Sequence, residues 1–353
     1  MKFRNAILAM EGYKTAKQAP YAIGVASNEN NYGPSPKALA ALQRITPQQM
    51  LRYPDPAATG LRKAIAMYAA VPEENVVCFS GGDEAIRTIL GMFLEPGKAL
   101  AGHAPTFAMY PLNAQFYGSD YRATRLSDEF EFGQRQKEEL IKTMDDEATA
   151  CVALCNPNNP TGNAIPKETM REIIGAALEK DLPVVVDEAY FEFNGETVAA
   201  QAADGDSNVI VVRTLSKAFG LAGLRVGYAI VPAPAVEQLM KIKPVFNVNA
   251  AAQTAAVAAV EDVAFMRQNV AKITTCRERM TKQLGDMGLK AFPSRANFLL
   301  FECPEGFVEK LAEKGILARA FQLEGWGAGS YCRLSVGTRE ENEKVLQAIG
   351  EMA

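Results

Sequence analysis

The chain contains very little histidine or tryptophan and no long apolar segment. Its 353 residues include one histidine, His103, and one tryptophan, Trp326. With a single imidazole as a possible nitrogen ligand, a metal centre is not expected. No run reaches the roughly 20 apolar residues of a membrane-spanning helix, and the N-terminal MKFRNAILAMEGYK has no apolar core of the signal-peptide type. These absences predict a cytoplasmic protein that holds no metal.

An excess of charge of one sign is also absent. The 37 Lys and Arg residues nearly balance the 41 Asp and Glu residues, so the formal net charge is −4. The two signs are interspersed along the chain, which leaves no basic surface for nucleic acid or for an anionic membrane. A small-molecule substrate is therefore expected.

The cysteines do not form a disulfide framework. All 6 are spread along the chain, mostly within apolar runs such as VVCF and CVALC, where cysteine behaves as a small apolar residue. Cys151 and Cys155 are four residues apart, a spacing found neither in redox CxxC pairs nor in zinc sites. Buried free thiols are expected.

The order of apolar and amphipathic segments predicts an α/β fold. A chain of this length favours one large domain with a smaller companion. Up to Val245, short β-branched runs alternate with helical patterns, as in parallel strands joined by crossover helices. Beyond it, a long helix over 262–287 precedes alternating strands and helices, so a domain boundary is expected near residue 245. The segments predicted before that boundary are strands over 76–79, 150–154, 183–186, 209–212 and 226–231, and helices over 83–94 and 167–180.

A lysine directly after an apolar strand is the strongest chemical signal. RTLSKAFGLAGLRVGY (213–228) places Lys217 beside the hydroxyls of Thr214 and Ser216, with Arg225 eight residues later. Arginine offers a planar set of donors that suits a phosphate. A glycine-rich turn in SGGDEAI (80–86) precedes a predicted helix, whose free amides suit the same group. These segments predict a phosphate site next to a reactive lysine.

Two further strand ends carry polar side chains. VVVDEAYFEF ends a strand at Asp187 and places Tyr190 three residues later. A carboxylate there needs a cationic partner, such as the pyridinium nitrogen of pyridoxal phosphate, unless it only caps the next helix. NPNNPTG (156–162) follows another strand. An asparagine in it could donate a hydrogen bond to the phenolate oxygen of the same cofactor, or the segment could simply be a tight connection. Because strand ends of open α/β sheets share one crevice, these groups are expected around a single ring.

In order and spacing these motifs resemble those of the fold-type I pyridoxal-phosphate enzymes, and among them the histidinol-phosphate aminotransferase group. The resemblance covers nearly the whole chain. It implies pyridoxal 5'-phosphate as cofactor, a large α/β domain (34–245) whose mostly parallel mixed sheet is sandwiched by helices, a small α+β domain (246–353), and an N-terminal arm (1–33) that contributes to the small domain and to a dimer contact. The chain departs from the family at Asn31, where a proline is usual. The segments that carry the resemblance are ASNENNYGPSP, LRYPDP, SGGDE, APTFAMY, NPNNPTG, DEAYFEF, TLSKAFGLAGLRVGY, SRANFLLF and CRLSVGTREEN.

The resemblance implies cofactor roles for the matching residues. Lys217 would carry the cofactor as a Schiff base and move the proton at the substrate's α-carbon, which leaves His103 without a required role. Asp187 would pair with the pyridine nitrogen, Asn159 and Tyr190 would bond the phenolate oxygen, and Phe107 would stack on the ring. The residues implied in phosphate binding are Gly82, Asp83, Thr214, Ser216, Arg225 and, reaching across from a neighbouring subunit, Tyr53. That last position implies an active homodimer.

The resemblance also implies the substrate. Arg333 and Arg319 would bind anions, and Tyr13 and Asn297 would line the pocket. The resemblance assigns nothing to the segment around Trp326, which we expect to shape the pocket. The expected reaction is ping-pong transamination of L-histidinol phosphate with 2-oxoglutarate. The sequence leaves open transamination of aromatic or other amino acids and, as a different class of reaction, decarboxylation of the threonine-phosphate type.

Overall fold

A computed structural model describes residues 1–12, 21–323, 325–326 and 329–352. The strands are β1 Ile23–Gly24, β2 Val76–Phe79, β3 Ala99–Ala104, β4 Asp120–Arg125, β5 Thr149–Cys155, β6 Val184–Asp187, β7 Val209–Thr214, β8 Gly227–Ile230, β9 Phe298–Cys303, β10 Ile316–Leu317, β11 Arg319–Gln322 and β12 Ser330–Ser335. The α-helices are α1 Asn5–Ala9, α2 Pro36–Gln43, α3 Pro47–Leu51, α4 Thr59–Ala69, α5 Gly82–Leu90, α6 Met109–Tyr117, α7 Gln134–Thr143, α8 Lys167–Leu178, α9 Phe191–Asn194, α10 Ala199–Ala202, α11 Ala233–Ile242, α12 Ala250–Val260, α13 Val263–Asp286, α14 Phe307–Glu313 and α15 Arg339–Gly350. Two 3₁₀ turns lie at Glu73–Asn75 and Ala222–Leu224.

The large sheet has the strand order β2-β8-β7-β6-β5-β3-β4. β8 runs antiparallel to both of its neighbours, and the other pairs that the sheet contains are parallel. All five strands predicted for this region form. The helix predicted over 83–94 is shorter than expected and ends at Leu90.

Alternate residues of the central strands enter two apolar cores, one on each face of the large sheet. On β6, Val184 and Val186 belong to one core and Val185 to the other, because successive side chains of a strand point to opposite faces. This two-sided burial explains why the strands are apolar throughout. The six cysteines are free thiols, five of them buried and Cys276 partly exposed.

The C-terminal part of the chain forms a smaller antiparallel sheet of order β11-β12-β9. The N-terminal segment pairs with the same part of the chain, because β1 and β10 form a separate parallel two-stranded sheet. Asn31, which stands where the family usually has proline, donates from Nδ2 to Gly24 O at 3.2 Å and to Glu341 Oε2 at 2.9 Å. The departure therefore ties the N-terminal segment to α15.

The domain division near residue 245 stays a prediction. α12 lies beyond that position in the chain but packs against α2 and α4, which precede it. Among the described helices, none combines the length and the apolar character that crossing a bilayer requires.

Candidate active site

One cavity of about 240 Å³ lies at the edge of the large sheet where β2, β5, β6 and β7 end. The N-terminal segment and the smaller sheet close it from the other side. The predicted site residues that line it are Gly82, Asp83, Phe107, Asn159, Asp187, Tyr190, Thr214, Ser216, Lys217, Arg225, Arg319 and Arg333. Lining residues that the sequence did not single out are Ala26, Ser27, Asn28, Ile86, Cys155, Ala189, Val212 and Arg213.

Lys217 lies in the turn that follows β7 and extends into the cavity. Its Nζ donates to the carbonyl oxygen of Ser27 at 3.0 Å and lies 5.8 Å from the ring centroid of Tyr190. Burial, aided by the positive charge of Arg333, lowers the pKa of Lys217 to about 8. A much larger fraction of this amine is neutral near pH 7 than is usual for lysine, as a nucleophile or a base requires.

Asp187 is buried at the end of β6, with 3% of its surface exposed. Its carboxylate accepts hydrogen bonds from the backbone N–H of Ala189 and from the hydroxyl of Tyr110, each at 3.0 Å. Burial raises the pKa of Asp187 to about 6, and the two hydrogen bonds oppose that shift. The carboxylate is thus mostly ionised at neutral pH, although no cation of the described residues forms an ion pair with it. Nothing in the sequence indicated this role for Tyr110, although the residue lies in the segment APTFAMY, three residues after Phe107.

The start of α5 and the turn before β8 form a cradle of hydrogen-bond donors. Gly81 precedes the helix with φ of 86°, and a Cβ there would lie 2.6 Å from Nη2 of Arg225. A Cβ on Gly227 would lie 2.5 Å from the carbonyl carbon of Gly81. Only glycines let these backbones and the guanidinium approach so closely. The unpaired amides of the first helical turn and Arg225 can therefore reach one anion.

Two hydroxyls complete this cradle. The Oγ1 of Thr214 lies 3.0 Å from the Oγ of Ser216, and both side chains are buried. Arg225 also contacts Asp83, with 3.3 Å between Nη2 and Oδ2, but about half of each side chain is exposed. Such a solvated ion pair contributes only about 0–1 kcal/mol, so Arg225 can bind another anion at little cost.

Asn159 and Tyr190 are both oriented by neighbours. Arg333 donates from Nη1 to Asn159 Oδ1 at 2.6 Å, which leaves the amide NH₂ of Asn159 as a donor. Asn28 donates from Nδ2 to the hydroxyl oxygen of Tyr190 at 2.9 Å. Burial raises the pKa of Tyr190, so its phenol keeps its proton and can donate it. Asn28 is a second supporting residue that sequence reasoning missed, because its partner is 162 residues away.

Two arginines form the cationic end of the cavity. Arg319 on β11 and Arg333 on β12 are directly paired across the strands. Phe321 lies beside both, with 5.9 Å from its ring centroid to the guanidinium of Arg319 and 5.3 Å to that of Arg333. Arg333 is buried, whereas Arg319 is only partly so. Paired guanidinium groups suit phosphate or carboxylate.

Two predicted site residues that the structure describes, Tyr53 and Asn297, do not line the cavity. Tyr13 lies outside the described residues. Tyr53 is 81% exposed, and its ring stacks on Phe246 with 4.5 Å between centroids. Asn297 is fully buried behind the cavity wall, where its Nδ2 donates to Asn28 O at 3.0 Å.

Trp326 also lies away from the cavity. Its indole N–H donates to Ser127 O at 3.1 Å, and Arg125 lies over its ring at 4.5 Å. The residue thus attaches the smaller sheet to the loop that follows β4. The expectation that it shapes the substrate pocket does not hold for Trp326 itself.

Comparison with known proteins agrees with this geometry. The model of the family "Aminotransferase class I and II" matches residues 21–349. A histidinol-phosphate aminotransferase of Roseiflexus castenholzii is 37% identical over 93% of this chain and 88% of its own length. One from Halalkalibacterium halodurans is 33% identical over 100% of this chain and 97% of its own.

Solved structures give the same result. The histidinol-phosphate aminotransferase of Sinorhizobium meliloti in complex with pyridoxal-5'-phosphate superimposes with a TM-score of 0.88, at 25% identity over 99% of this chain and 97% of that one. The aspartate aminotransferase of Thermus thermophilus with maleate, 21% identical over 100% of both chains with a TM-score of 0.83, shares the fold. The motif order, the cavity and these matches together show that this chain belongs to the class I and II aminotransferase family.

Proposed function

We propose that this protein is a pyridoxal-phosphate-dependent aminotransferase that moves the amino group of L-histidinol phosphate to 2-oxoglutarate by ping-pong chemistry. The observation that carries the proposal is the single cavity that joins Lys217, the buried carboxylate of Asp187 and the paired Arg319 and Arg333. Relatives that cover the whole chain at 33% identity, or nearly all of it at 37%, bear the name histidinol-phosphate aminotransferase.

The residues present fit pyridoxal phosphate. The glycines at 81 and 227 keep open a cradle that a Cβ would fill, and Arg225, Thr214 and Ser216 supply donors for the phosphate. Asp187 would hold the pyridine nitrogen, Asn159 and Tyr190 would donate to the phenolate oxygen, and Phe107 would cover the ring. When bound, the cofactor supplies an electron sink for the bond that breaks at the α-carbon of an amino substrate.

The chain's own groups would perform the proton transfers. The neutral Nζ of Lys217 can take the proton from the substrate's α-carbon, and it would then deliver that proton to C4′ of the cofactor. The ionised carboxylate of Asp187 favours the protonated pyridine nitrogen, because an adjacent negative charge raises the pKa of a cation. Tyr110 and Ala189 hold that carboxylate in place by the two hydrogen bonds at 3.0 Å.

The two arginines suit the chemistry of both substrates. L-Histidinol phosphate has a phosphate and no carboxylate, whereas 2-oxoglutarate has two carboxylates. A ping-pong enzyme must accept both in one site. Guanidinium groups on neighbouring strands can bind either anion in a planar, two-point manner, which a single lysine cannot do.

A panel of amino donors with 2-oxoglutarate tests this proposal. We expect kcat/KM for L-histidinol phosphate to exceed those for phenylalanine and tyrosine at least tenfold, which corresponds to about 1.4 kcal/mol of transition-state binding. Formation of glutamate is measured for each donor, and release of carbon dioxide is measured in parallel. Lys217→Ala should abolish turnover, whereas Lys142→Ala, an exposed lysine on α7, should not change it. Equal rates with the aromatic donors would refute the substrate assignment, and carbon dioxide release without glutamate would refute transamination.

We also propose that the active unit is a homodimer. Tyr53 stands outside its own cavity, on a surface that carries several exposed apolar side chains. The exposed residues of this surface are Met50, Leu51, Tyr53, Val245 and Phe246. An exposed apolar patch of this kind is typical of a protein–protein contact, and a second copy would bring Tyr53 to a neighbouring site.

A further inference from the structure

A partly buried asparagine contacts the turn at which the phosphate cradle begins. Ser80 and Gly81 form this turn, between the end of β2 and Gly82, the first residue of α5. Asn247 belongs to the segment between α11 and α12, 163 residues after Glu84 in the chain. The contact is therefore made only in the folded protein, and no motif of the sequence indicates it.

The amide group of Asn247 bonds both sides of this turn. Its Nδ2 donates to the carbonyl oxygen of Cys78 on β2 at 3.3 Å and to Oε2 of Glu84 on α5 at 2.6 Å. The same Oε2 atom accepts from the backbone N–H of Ser80 at 2.6 Å. The asparagine and the glutamate thus hold the strand end, the turn and the first helical turn in one arrangement.

A lysine determines the orientation of the asparagine. Lys243 is buried, and its Nζ donates to Oδ1 of Asn247 at 2.6 Å and to the carbonyl oxygen of Pro244 at 3.0 Å. Because an ammonium group can only donate, the side-chain oxygen of Asn247 must face Lys243, and the NH₂ group must face Glu84. The chemistry of the two neighbours therefore selects one orientation of the amide.

The carboxylate of Glu84 lies at the same helix end as the proposed anion site. Glu84 is the third residue of α5, a position from which a carboxylate can bond free amides at the start of a helix. A phosphate in the cradle would need the same amides. The bonds from Ser80 and Asn247 hold the carboxylate on the turn, which leaves the amides of the first helical turn to the phosphate.

On the basis of the proposed function, we propose that Asn247 is a positioning residue for the phosphate of the cofactor. Asn247 does not line the cavity itself and acts through Glu84, which follows the cavity residue Asp83 on α5. A displaced turn would move the backbone of Gly81 away from its close approach to Arg225. Within the described part of the chain, no hydrogen bond of Asn247 reaches a residue proposed to hold the pyridine ring, so its effect should be confined to the phosphate.

The test compares two ligands that differ only in the phosphate. The full-length apoenzyme is titrated calorimetrically with pyridoxamine 5'-phosphate and with pyridoxamine, two amines that cannot condense with Lys217. The dissociation constant of pyridoxamine divided by that of its phosphate ester measures the contribution of the phosphate. Asn247→Ala should lower this ratio about tenfold, mainly by weakening the binding of the phosphorylated ligand.

Two further variants separate the bonds of the asparagine. Asn247→Asp should lower the ratio as much as Asn247→Ala, since the new carboxylate keeps the bond to Lys243 but repels Glu84. Glu84→Gln should not lower it, because an amide oxygen still accepts from Ser80 and Asn247. A lowered ratio in Glu84→Gln with a normal one in Asn247→Asp would overturn the inference.

A double variant shows whether Asn247 and Glu84 act through their mutual contact. Glu84→Ala should lower the ratio as Asn247→Ala does, and the two changes together should lower it no further than the larger single effect. Additive losses would contradict the inference, because Asn247 would then act on the phosphate by another route.

A purely structural role would give a different result. Asn208→Ala is the control, because Asn208 is also partly buried and donates from Nδ2 to Leu182 O at 2.8 Å, but precedes β7 at the end opposite to Thr214. It should lower the melting temperature without changing the ratio. If Asn247→Ala weakened both ligands equally, or neither, the inference would be wrong. If that variant does not fold, Asn247→Asp and Glu84→Ala decide in the same way. Wild-type apoenzyme with no preference for the phosphorylated ligand would instead refute the proposed function.

Discussion

Lys217 differs from other lysines by its surroundings more than by its place in the sequence. Burial and the nearby charge of Arg333 lower its pKa to about 8. About 10% of the amine is therefore neutral at pH 7, against roughly 0.04% at the ordinary value near 10.4. A residue with these properties can act at neutral pH without help from a separate base.

We expect the reactivity of Lys217 in the apoenzyme to rise with pH and to reach its half-maximum near pH 8. The sign follows from the chemistry, because only the neutral amine attacks an acylating reagent. Competitive acetylation between pH 6 and 11, followed by peptide mass spectrometry, measures the midpoint for each lysine. Lys142 on the surface of α7 is the internal reference, and a Lys217 midpoint equal to that of Lys142 would contradict the prediction.

At the residue scale the sequence predicted residues that the structure brings together at one cavity, and it missed those that support them. Lys217, Asp187 and Arg225 stand in short motifs after strands, so local spacing was sufficient. Tyr110 and Asn28 act through partners 77 and 162 residues away. A single sequence does not reveal such pairs, because nothing local distinguishes these side chains from others of their type.

At the scale of elements, β8 depends on glycine where it meets the start of α5. A Cβ on Gly227 would lie 2.5 Å from the carbonyl carbon of Gly81, and backbone atoms cannot move aside as a side chain can. A Cβ added to Gly223, in the turn just before β8, would have no neighbouring atom within 4 Å. The two positions are four residues apart and form a matched pair.

Gly227→Ala should lower the free energy of unfolding by about 1–3 kcal/mol, as other overpacked sites do. Gly223→Ala should change it by no more than about 0.5 kcal/mol. Urea unfolding followed by circular dichroism compares the two. Binding of inorganic phosphate to the apoenzyme should weaken only in Gly227→Ala, because the cradle shifts with Gly81. Equal stability of the two variants would show that the contact relaxes at no cost.

The two strands of the large sheet that the sequence missed, β3 and β4, have an identifiable composition. β3 reads ALAGHA and β4 reads DYRATR, so neither contains the β-branched apolar runs of β5, β6 and β7. β4 lies at the edge of the sheet, where one side of the strand has no partner in it and polar residues are tolerated. Small residues in β3 fit a crowded interior, since a Cβ on Gly102 would lie 2.6 Å from the hydroxyl of Tyr121. Tertiary packing, more than local sequence preference, therefore makes β3 and β4 strands.

At the scale of the whole molecule, the homodimer can be tested by mixing defective subunits. If Tyr53 serves the neighbouring site, Lys217→Ala and Tyr53→Ala subunits in one dimer together form one site with both native residues. We expect each homodimeric variant to be impaired and the mixed dimer to regain about half of the wild-type kcat. Light scattering checks that the particle has twice the mass of the 38.2 kDa chain.

Two outcomes would contradict this prediction. A mixed dimer with no more activity than the average of its parents would place Tyr53 in its own subunit's site or in none. A monomeric wild-type protein with full activity would remove the shared site altogether. Leu51→Glu, a charge on the same exposed surface, should dissociate the dimer and lower activity without unfolding the chain.

The sequence was sufficient to predict the fold class, but not the contacts between segments that are far apart in the chain. An α/β region followed by an α+β region follows from the order of patterns along the chain. The pairing of β1 with β10 and the packing of α12 on α2 and α4 join segments far apart in sequence. These contacts become apparent only in the folded structure, because no local pattern in the sequence indicates which distant segment each element packs against.

The scarcity of histidine has a practical consequence for watching the reaction. His103 is buried, with its ring edge-on to Phe132 at 5.8 Å between centroids, and burial lowers its pKa to about 4. The enzyme's one imidazole therefore keeps its charge constant between pH 5.5 and 8, whereas the proposed amino donor carries an imidazole in solution. In a proton NMR spectrum recorded during turnover, every imidazole signal that moves with pH or with time would belong to the substrate or its product, so the reaction can be followed without labels.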